Sequence, residues 1–248
     1  MSAKKKGFTK TRAFSAVYMF AISSLFAGVL SVLAVTTNPI VETNKKLATN
    51  RSIVGVFDLT GISDATSNAE LEKVIAEQIR SLWVVEEDGK LRLTTTPPGP
   101  QATVFKRVWA VVDKSGTPTA YSFVVGGKGF WGPVEGLISV EPDGKTIRSV
   151  VWTKHSETPG LGARIEEDQY RAKFRGKLAT PEFKVVPDGT MGQDPHKLDA
   201  ITGASQTTVA GLGVFLPRDF AQWRRVFPLL REHFDDSPAT AADADQQG

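Results

Sequence analysis

From Ala13 to Val41 the chain carries no charged residue, and the segment Ala13–Val35 is a continuous apolar run of 23 residues. No other feature limits the fold so strongly. A bilayer-spanning helix needs about 20 such residues, and in lipid only a helix satisfies the backbone of a single segment. Lys4, Lys5, Lys6, Lys10 and Arg12 precede the run. Basic residues on one flank keep that flank in the cytoplasm, which predicts a cytoplasmic N-terminus and an exported body. The apolar region of a cleaved signal peptide is about 7–15 residues, shorter than this one, so the segment reads as an uncleaved anchor despite the small residues around Val32-Leu33-Ala34. Residues 1–12 are then a basic cytoplasmic N-terminus and 13–37 a transmembrane helix.

Composition narrows the function. The net charge of +3 owes much to the N-terminal lysines, and no basic stripe with interleaved aromatics runs through the body, so nucleic acid is not an expected partner. The chain has no cysteine, which excludes disulfides, thiolate nucleophiles, iron–sulfur ligation and sulfur-based zinc sites. His155, His196 and His233 are scattered, without metal-ligand spacing, and no metal site is expected.

Beyond the anchor, Asn38-Pro39 marks the membrane exit, with Pro39 in the first turn of a new helix. Residues 38–104 read as a juxtamembrane helical region. It holds one helix over Glu42–Phe57 and a second over Asn68–Val84, capped by Ser67 or Asn68, with Arg92–Ala102 as a loop. Residues 105–232 read as the main domain. Phe105–Val112, Thr119–Val125, Val134–Val140 and Ile147–Trp152 are rich in β-branched and aromatic residues and predict a four-strand antiparallel meander. Helices are expected over Ile165–Phe174, Ser205–Leu216 and Phe220–Leu230, and a short strand over Phe183–Val186. The fold class is α+β: one transmembrane helix, then an exported domain with an antiparallel meander and flanking helices. Residues 233–248 read as a polar, disordered tail.

Three runs carry chemistry. The first is Asp199-Ala200-Ile201-Thr202-Gly203-Ala204-Ser205. A helix starting near Ser205 would aim unpaired backbone N–H groups at a phosphate, Gly203 suits a positive φ, and Asp199 can bond the backbone two residues on. The same features describe a strand-to-helix turn with a hydroxyl cap. The second run is His155-Ser156-Glu157-Thr158-Pro159-Gly160-Leu161-Gly162-Ala163, a rigid turn whose bare backbone can lie against a flat ring. The third, Gly126 to Pro133, satisfies G-x-G-x-x-G through Gly127, Gly129 and Gly132. Phe130 and Trp131 fill its variable slots and a strand follows, so it is not a dinucleotide loop. Trp131 is either core or the wall of a site.

These runs, in this order, resemble the FMN-binding domain family over about residues 10–232. Within it, the Trp131 string, the Pro142-Asp143-Gly144 hairpin and the phrase before Thr158 are more similar to the FMN-binding subunit of sodium-translocating NADH:quinone reductases than to its counterpart in Rnf complexes. The family's acceptor reads Ser-Gly-Ala-Thr, and here Thr202-Gly203-Ala204-Ser205 stands in its place. The resemblance implies FMN joined to Ser205 through a phosphoester, installed by a separate flavin transferase that takes FMN from FAD. It implies a ring lying between the Thr158–Gly162 turn and Trp131, with Thr158 a polar contact, Leu161 an apolar one, and Glu157 and Lys197 further contacts. It also implies a flavoprotein subunit in the bacterial inner membrane that relays electrons among partner subunits of a sodium-translocating NADH:quinone reductase. Without a second membrane helix or a nucleotide loop it would be one subunit of that enzyme. An Rnf-type subunit, or an anchored FMN-binding module without enzymatic partners, fits the same residues.

Overall fold

The computed structural model describes residues 12–59, 66–99 and 103–235. Most of the basic N-terminus and residues 236–248 lie outside these, so the expectations for them stand outside the described residues; of the tail expected over 233–248, residues 233–235 are instead the last turn of a helix. The chain divides into two compact units, 1–48 and 49–248.

Helix α1 runs Arg12–Val56, 45 residues. It is long and apolar enough to cross a membrane, and Met19, Phe20, Leu25, Phe26 and Leu30 are exposed along it. Pro39, read from the sequence as the first turn of a new helix, lies inside one helix that continues from the apolar run. A proline there forfeits one backbone bond and costs about 3 kcal/mol. Helical residues on both sides each gain a bond once the helix is nucleated, and they carry the helix through. The hydroxyls of Thr36, Thr37 and Thr43 donate to the carbonyls of Val32, Leu33 and Pro39 at 3.0, 2.8 and 2.9 Å.

In the second unit, α2 (Asn68–Gln78) begins with a capping box in which Ser67 and Glu70 satisfy each other's backbone N–H groups. The helix expected to reach Val84 stops at Gln78, and β1 (Ile79–Glu87) follows. Leu71, Val74, Ile75, Ile79 and Leu82 satisfy helical spacing, but Ile79, Trp83, Val84 and Val85 pack better on a pleated surface, and pairing with the next strands decides the outcome. Asp88 and Gly89, with φ of 51° and 74°, form the two-residue turn into β2 (Lys90–Thr94). Residues 79–94, expected with the helical region and loop, are therefore strands.

The meander over β3 (Thr103–Val112), β4 (Pro118–Lys128), β5 (Pro133–Val140) and β6 (Ile147–Lys154) is as expected. With β1 and β2 it makes an antiparallel six-stranded sheet in the order β2-β1-β3-β4-β5-β6. The pairing of β3 with β4 spans Val108↔Phe123 to Val112↔Pro118, and past Phe123 the strands part. There Asp219 accepts the backbone N–H of Gly126 at 2.8 Å.

After β6 come a 3₁₀ turn over Gly162–Glu166 and α3 (Asp168–Ala172), where one longer helix was expected. Strands β7 (Lys184–Val186) and β8 (Lys197–Asp199) pair in parallel. The two helices expected near the end are one helical run. It comprises α4 (Ser205–Thr207), a wider π-helical stretch over Thr208–Leu212, and α5 (Gly213–Asp235). Phe215, Phe220, Trp223 and Leu230 of α5 close the core on one sheet face, against Val108, Phe123, Val125 and Ile138. Trp223 stacks on Phe123 with centroids 4.3 Å apart, and its indole N–H donates to the Gly144 carbonyl at 2.7 Å.

Candidate functional site

Strand β8 delivers the chain to the acceptor run. Gly203 takes φ +84°, a conformation that penalises any side chain, and Ala204 N–H donates to the Ile201 carbonyl at 2.9 Å. Ser205 is then the first residue of α4. The first N–H groups of a helix have no partner within it, and they favour a negative group beside Ser205.

The hydroxyls of this tract differ in availability. Ser205 is exposed. Thr207 and Thr208 are buried; Thr207 donates to Glu157 Oε2 at 2.5 Å and Thr208 to the Ala204 carbonyl at 2.9 Å. Thr202 is exposed and donates to Asp188 at 2.7 Å, a bond that leads the causes holding the Asp188 carboxyl below the usual range. Asp199 does not bond two residues ahead. It accepts from the backbone N–H groups of Thr190 (3.1 Å) and Met191 (2.9 Å), tying the loop after β7 to β8.

The second run forms a turn after β6. The N–H groups of Leu161 and Ala163 both donate to the Thr158 carbonyl at 3.1 Å, and Gly160 takes φ +76°. Thr158 and Leu161 are exposed, and a Cδ of Leu161 stands 3.6 Å from the position a Cβ on Gly203 would take. The second run thus meets the first through an apolar side chain over bare backbone.

The third run is the β4–β5 turn, closed by Gly129 N–H donating to the Gly132 carbonyl at 2.7 Å. A strand on each side excludes the dinucleotide reading. Trp131 is 65 % exposed and Phe130 52 %, their rings edge to face at 4.9 Å, so Trp131 is not core.

Glu157 stands where the three runs meet. It is 5 % exposed, and Oε1 accepts from the N–H groups of Phe130 (2.9 Å) and Trp131 (3.1 Å) while Oε2 accepts from Thr207. Its own N–H donates to His155 Nδ1 at 3.2 Å, and His155 Nε2 lies 2.9 Å from Glu166. A cleft of about 390 Å³ lies above, lined by Phe130, Trp131, Glu157, Thr158, Leu161 and Gly162 on one side and residues 203–207 on the other. That size falls within the range of small-molecule sites, about 300–1,000 Å³.

Of the residues singled out from sequence, the structure brings together Trp131, Glu157, Thr158, Leu161, Gly162, Gly203, Ala204 and Ser205. Gly160, Asp199 and Thr202 shape the surrounding turns without lining the cleft. Lys197 lies outside the lining and pairs with Asp194 at 3.1 Å. Phe130, Gln206 and Thr207 complete the lining, next to residues that were singled out or one position further along the same turn. Among the described residues no group of three or more His, Asp or Glu side chains could hold a metal ion.

Residues 129–211, which contain this cleft, match the FMN-binding domain family. Curated relatives include a protein of Pasteurella multocida named as the C subunit of the Na(+)-translocating NADH-quinone reductase, 36 % identical over 108 residues covering 42 % of each chain. The protein of the same name in Yersinia pestis is 28 % identical over 131 residues, 49 % of each. The aligned stretches thus span just under half the length of these relatives. Among solved structures, NqrC of Shewanella oneidensis aligns over 79 % of this chain and all of its own, with a TM-score of 0.57 and 21 % identity. The corresponding C subunit from Parabacteroides distasonis aligns over 76 % and 95 %, with a TM-score of 0.59 and 23 % identity. This chain shares their fold.

Proposed function

We propose that this chain, which carries a segment of the FMN-binding domain family at residues 129–211, bears FMN covalently on Ser205. In this reading it serves as a membrane-anchored electron-relay subunit of a sodium-translocating NADH:quinone reductase. The observation that carries the reading is the contrast among hydroxyls. Ser205 is open to the cleft at a helix start, whereas Thr207 and Thr208 are buried and committed to Glu157 and Ala204.

The residues fit the group. The first N–H groups of α4 would hold the phosphate, Trp131, Phe130 and Leu161 offer apolar surface to a flat ring, Thr158 offers a hydroxyl, and the backbone at Gly162 and Gly203 would admit close approach. Bound FMN supplies reversible electron transfer, and the protein sets its position and exposure. Ser205 Oγ forms the bond to phosphorus on a separate flavin transferase. FAD provides the FMN phosphoryl group, AMP leaves, and the hydroxyl proton passes to a base on the transferase. Ser205 is an anchor and takes no part in electron transfer.

Helix α1 supports insertion in the inner membrane, and the lysines before it support a cytoplasmic N-terminus with the flavin domain outside. Partner subunits donate and accept the electrons, a role suggested by relatives that are named as subunits of such a reductase. In-gel flavin fluorescence after co-expression with a transferase tests the attachment. The expected result is a fluorescent wild-type band absent from Ser205→Ala; a dark wild-type band beside a working positive control contradicts it.

A further inference from the structure

We infer that Glu157 is a positioning residue, whose carboxylate locks the Trp131 turn to the acceptor segment and so governs how fast Ser205 is loaded with flavin. This rests on the covalent-FMN reading above. Oε1 sits in a nest of two successive backbone N–H groups, those of Phe130 and Trp131, an arrangement that selects an anion. Oε2 takes the hydroxyl of Thr207, two residues beyond Ser205 in the same helical turn. One side chain therefore fixes the ring-wall turn and the acceptor against each other.

The packing is tight around that carboxylate on two sides. A Cβ on Gly129 would lie 2.5 Å from Oε1 and 2.6 Å from a methyl of Val134, and a Cβ on Gly162 would lie 2.5 Å from Thr207 Oγ1 and 2.6 Å from Oε2. Glu157 and its neighbours thus leave no room for a side chain at glycines of two separate runs. Both oxygens are engaged by protein donors, so Glu157 acts through its neighbours. Aspartate, one methylene shorter, cannot span the two sets of donors. Glutamine can, with its oxygen in the nest and its amide N–H donating to the Thr207 oxygen.

The test uses the full chain in detergent, with Glu157→Ala, Glu157→Gln and Thr207→Val, and Ser205→Ala as the blank for loading. One readout, amide hydrogen exchange at Phe130 and Trp131, needs no flavin. The other is the initial rate of flavin incorporation from FAD by a transferase. Loss of the charge-assisted bonds in Glu157→Ala is expected to speed exchange at the two amides by about 10- to 100-fold. Incorporation should slow by about tenfold or more, with partial recovery on adding formate to refill the nest. Glu157→Gln, which keeps the hydrogen bonds but not the charge, falls between wild type and Glu157→Ala on both readouts. Thr207→Val slows incorporation while leaving the two amides protected, a separation that general loss of structure would not produce. The inference is overturned if Glu157→Ala loads as fast as wild type, or if its Phe130 and Trp131 amides stay as protected. A wild type that takes no flavin at all overturns the covalent-FMN reading instead, and the exchange data then still decide whether Glu157 holds the turn.

Discussion

Gly160 and Gly162 sit two residues apart in one turn, yet they are glycines for different reasons, and the substitution of each by alanine separates them. At Gly162 the obstacle is space. The added Cβ would stand 2.5 Å from Thr207 Oγ1, 2.6 Å from Glu157 Oε2 and 2.9 Å from Glu157 Cβ. The clash is relieved only by parting Thr207 from Glu157, which loses a buried hydrogen bond to a charged group, about 1.5–3 kcal/mol. Overpacking adds about 1–3 kcal/mol, and because the two losses overlap the total is about 3 kcal/mol. At Gly160 nothing lies within 4 Å, and only the positive φ of 76° opposes a side chain, at about 1–2 kcal/mol. For a domain of this size each kcal/mol shifts Tm by about 2–4 °C. Thermal unfolding followed by circular dichroism should therefore show Gly162→Ala about 6–12 °C below wild type, with Gly160→Ala clearly less affected. If Gly162→Ala melts at or above Gly160→Ala, the packing of Glu157 against Thr207 is not as described.

Trp223→Phe strands the buried Gly144 carbonyl and should lower the urea midpoint by the equivalent of about 1–3 kcal/mol. Asp219→Ala leaves the Gly126 N–H unpaired where β3 and β4 part, and amide exchange at Gly126 should rise by about tenfold or more. Burial holds the Lys106 ammonium below the usual lysine pKa, so its charged form burdens the folded state at all pH values below that depressed pKa. Lys106→Met removes that burden, a gain set against the lost 3.0 Å hydrogen bond from Nζ to Gln222 Oε1. Because the folded chain releases the Lys106 proton before the unfolded chain does, that gain shrinks as pH rises toward the ordinary lysine value of about 10.4. Urea midpoints at pH 7 and pH 10 check the sign, and a gain that grows with pH refutes it.

The long apolar helix and the β3–β6 meander were legible because their signals are local: an uncharged apolar run, and β-branched strands punctuated by Gly-containing turns. The missed elements needed distant partners. Ile79 to Val85 fits helical and strand spacing alike, and pairing with β3 settles it; Asp88-Gly89, a strong hairpin signal, pointed the same way. Strand β8 is three residues long and exists only through its pairing with β7. Pro39 misleads because its local cost is outweighed by helix on both sides. At the cleft, Gly203, Ser205 and Leu161 were marked by their place in runs that resemble the FMN-binding family; their spacing alone describes ordinary turns equally well. The role of Glu157 was invisible in sequence, because its partners lie 26, 27 and 50 residues away.

Intact-mass spectrometry with peptide mapping, on full chains co-expressed with a flavin transferase, shows whether Ser205 carries FMN. The expected result is a wild-type mass increased by one FMN less one water, with the adduct on the peptide containing Ser205 and none on Ser205→Ala. An unmodified wild type beside a modified control substrate, or an adduct that persists in Ser205→Ala, would contradict it.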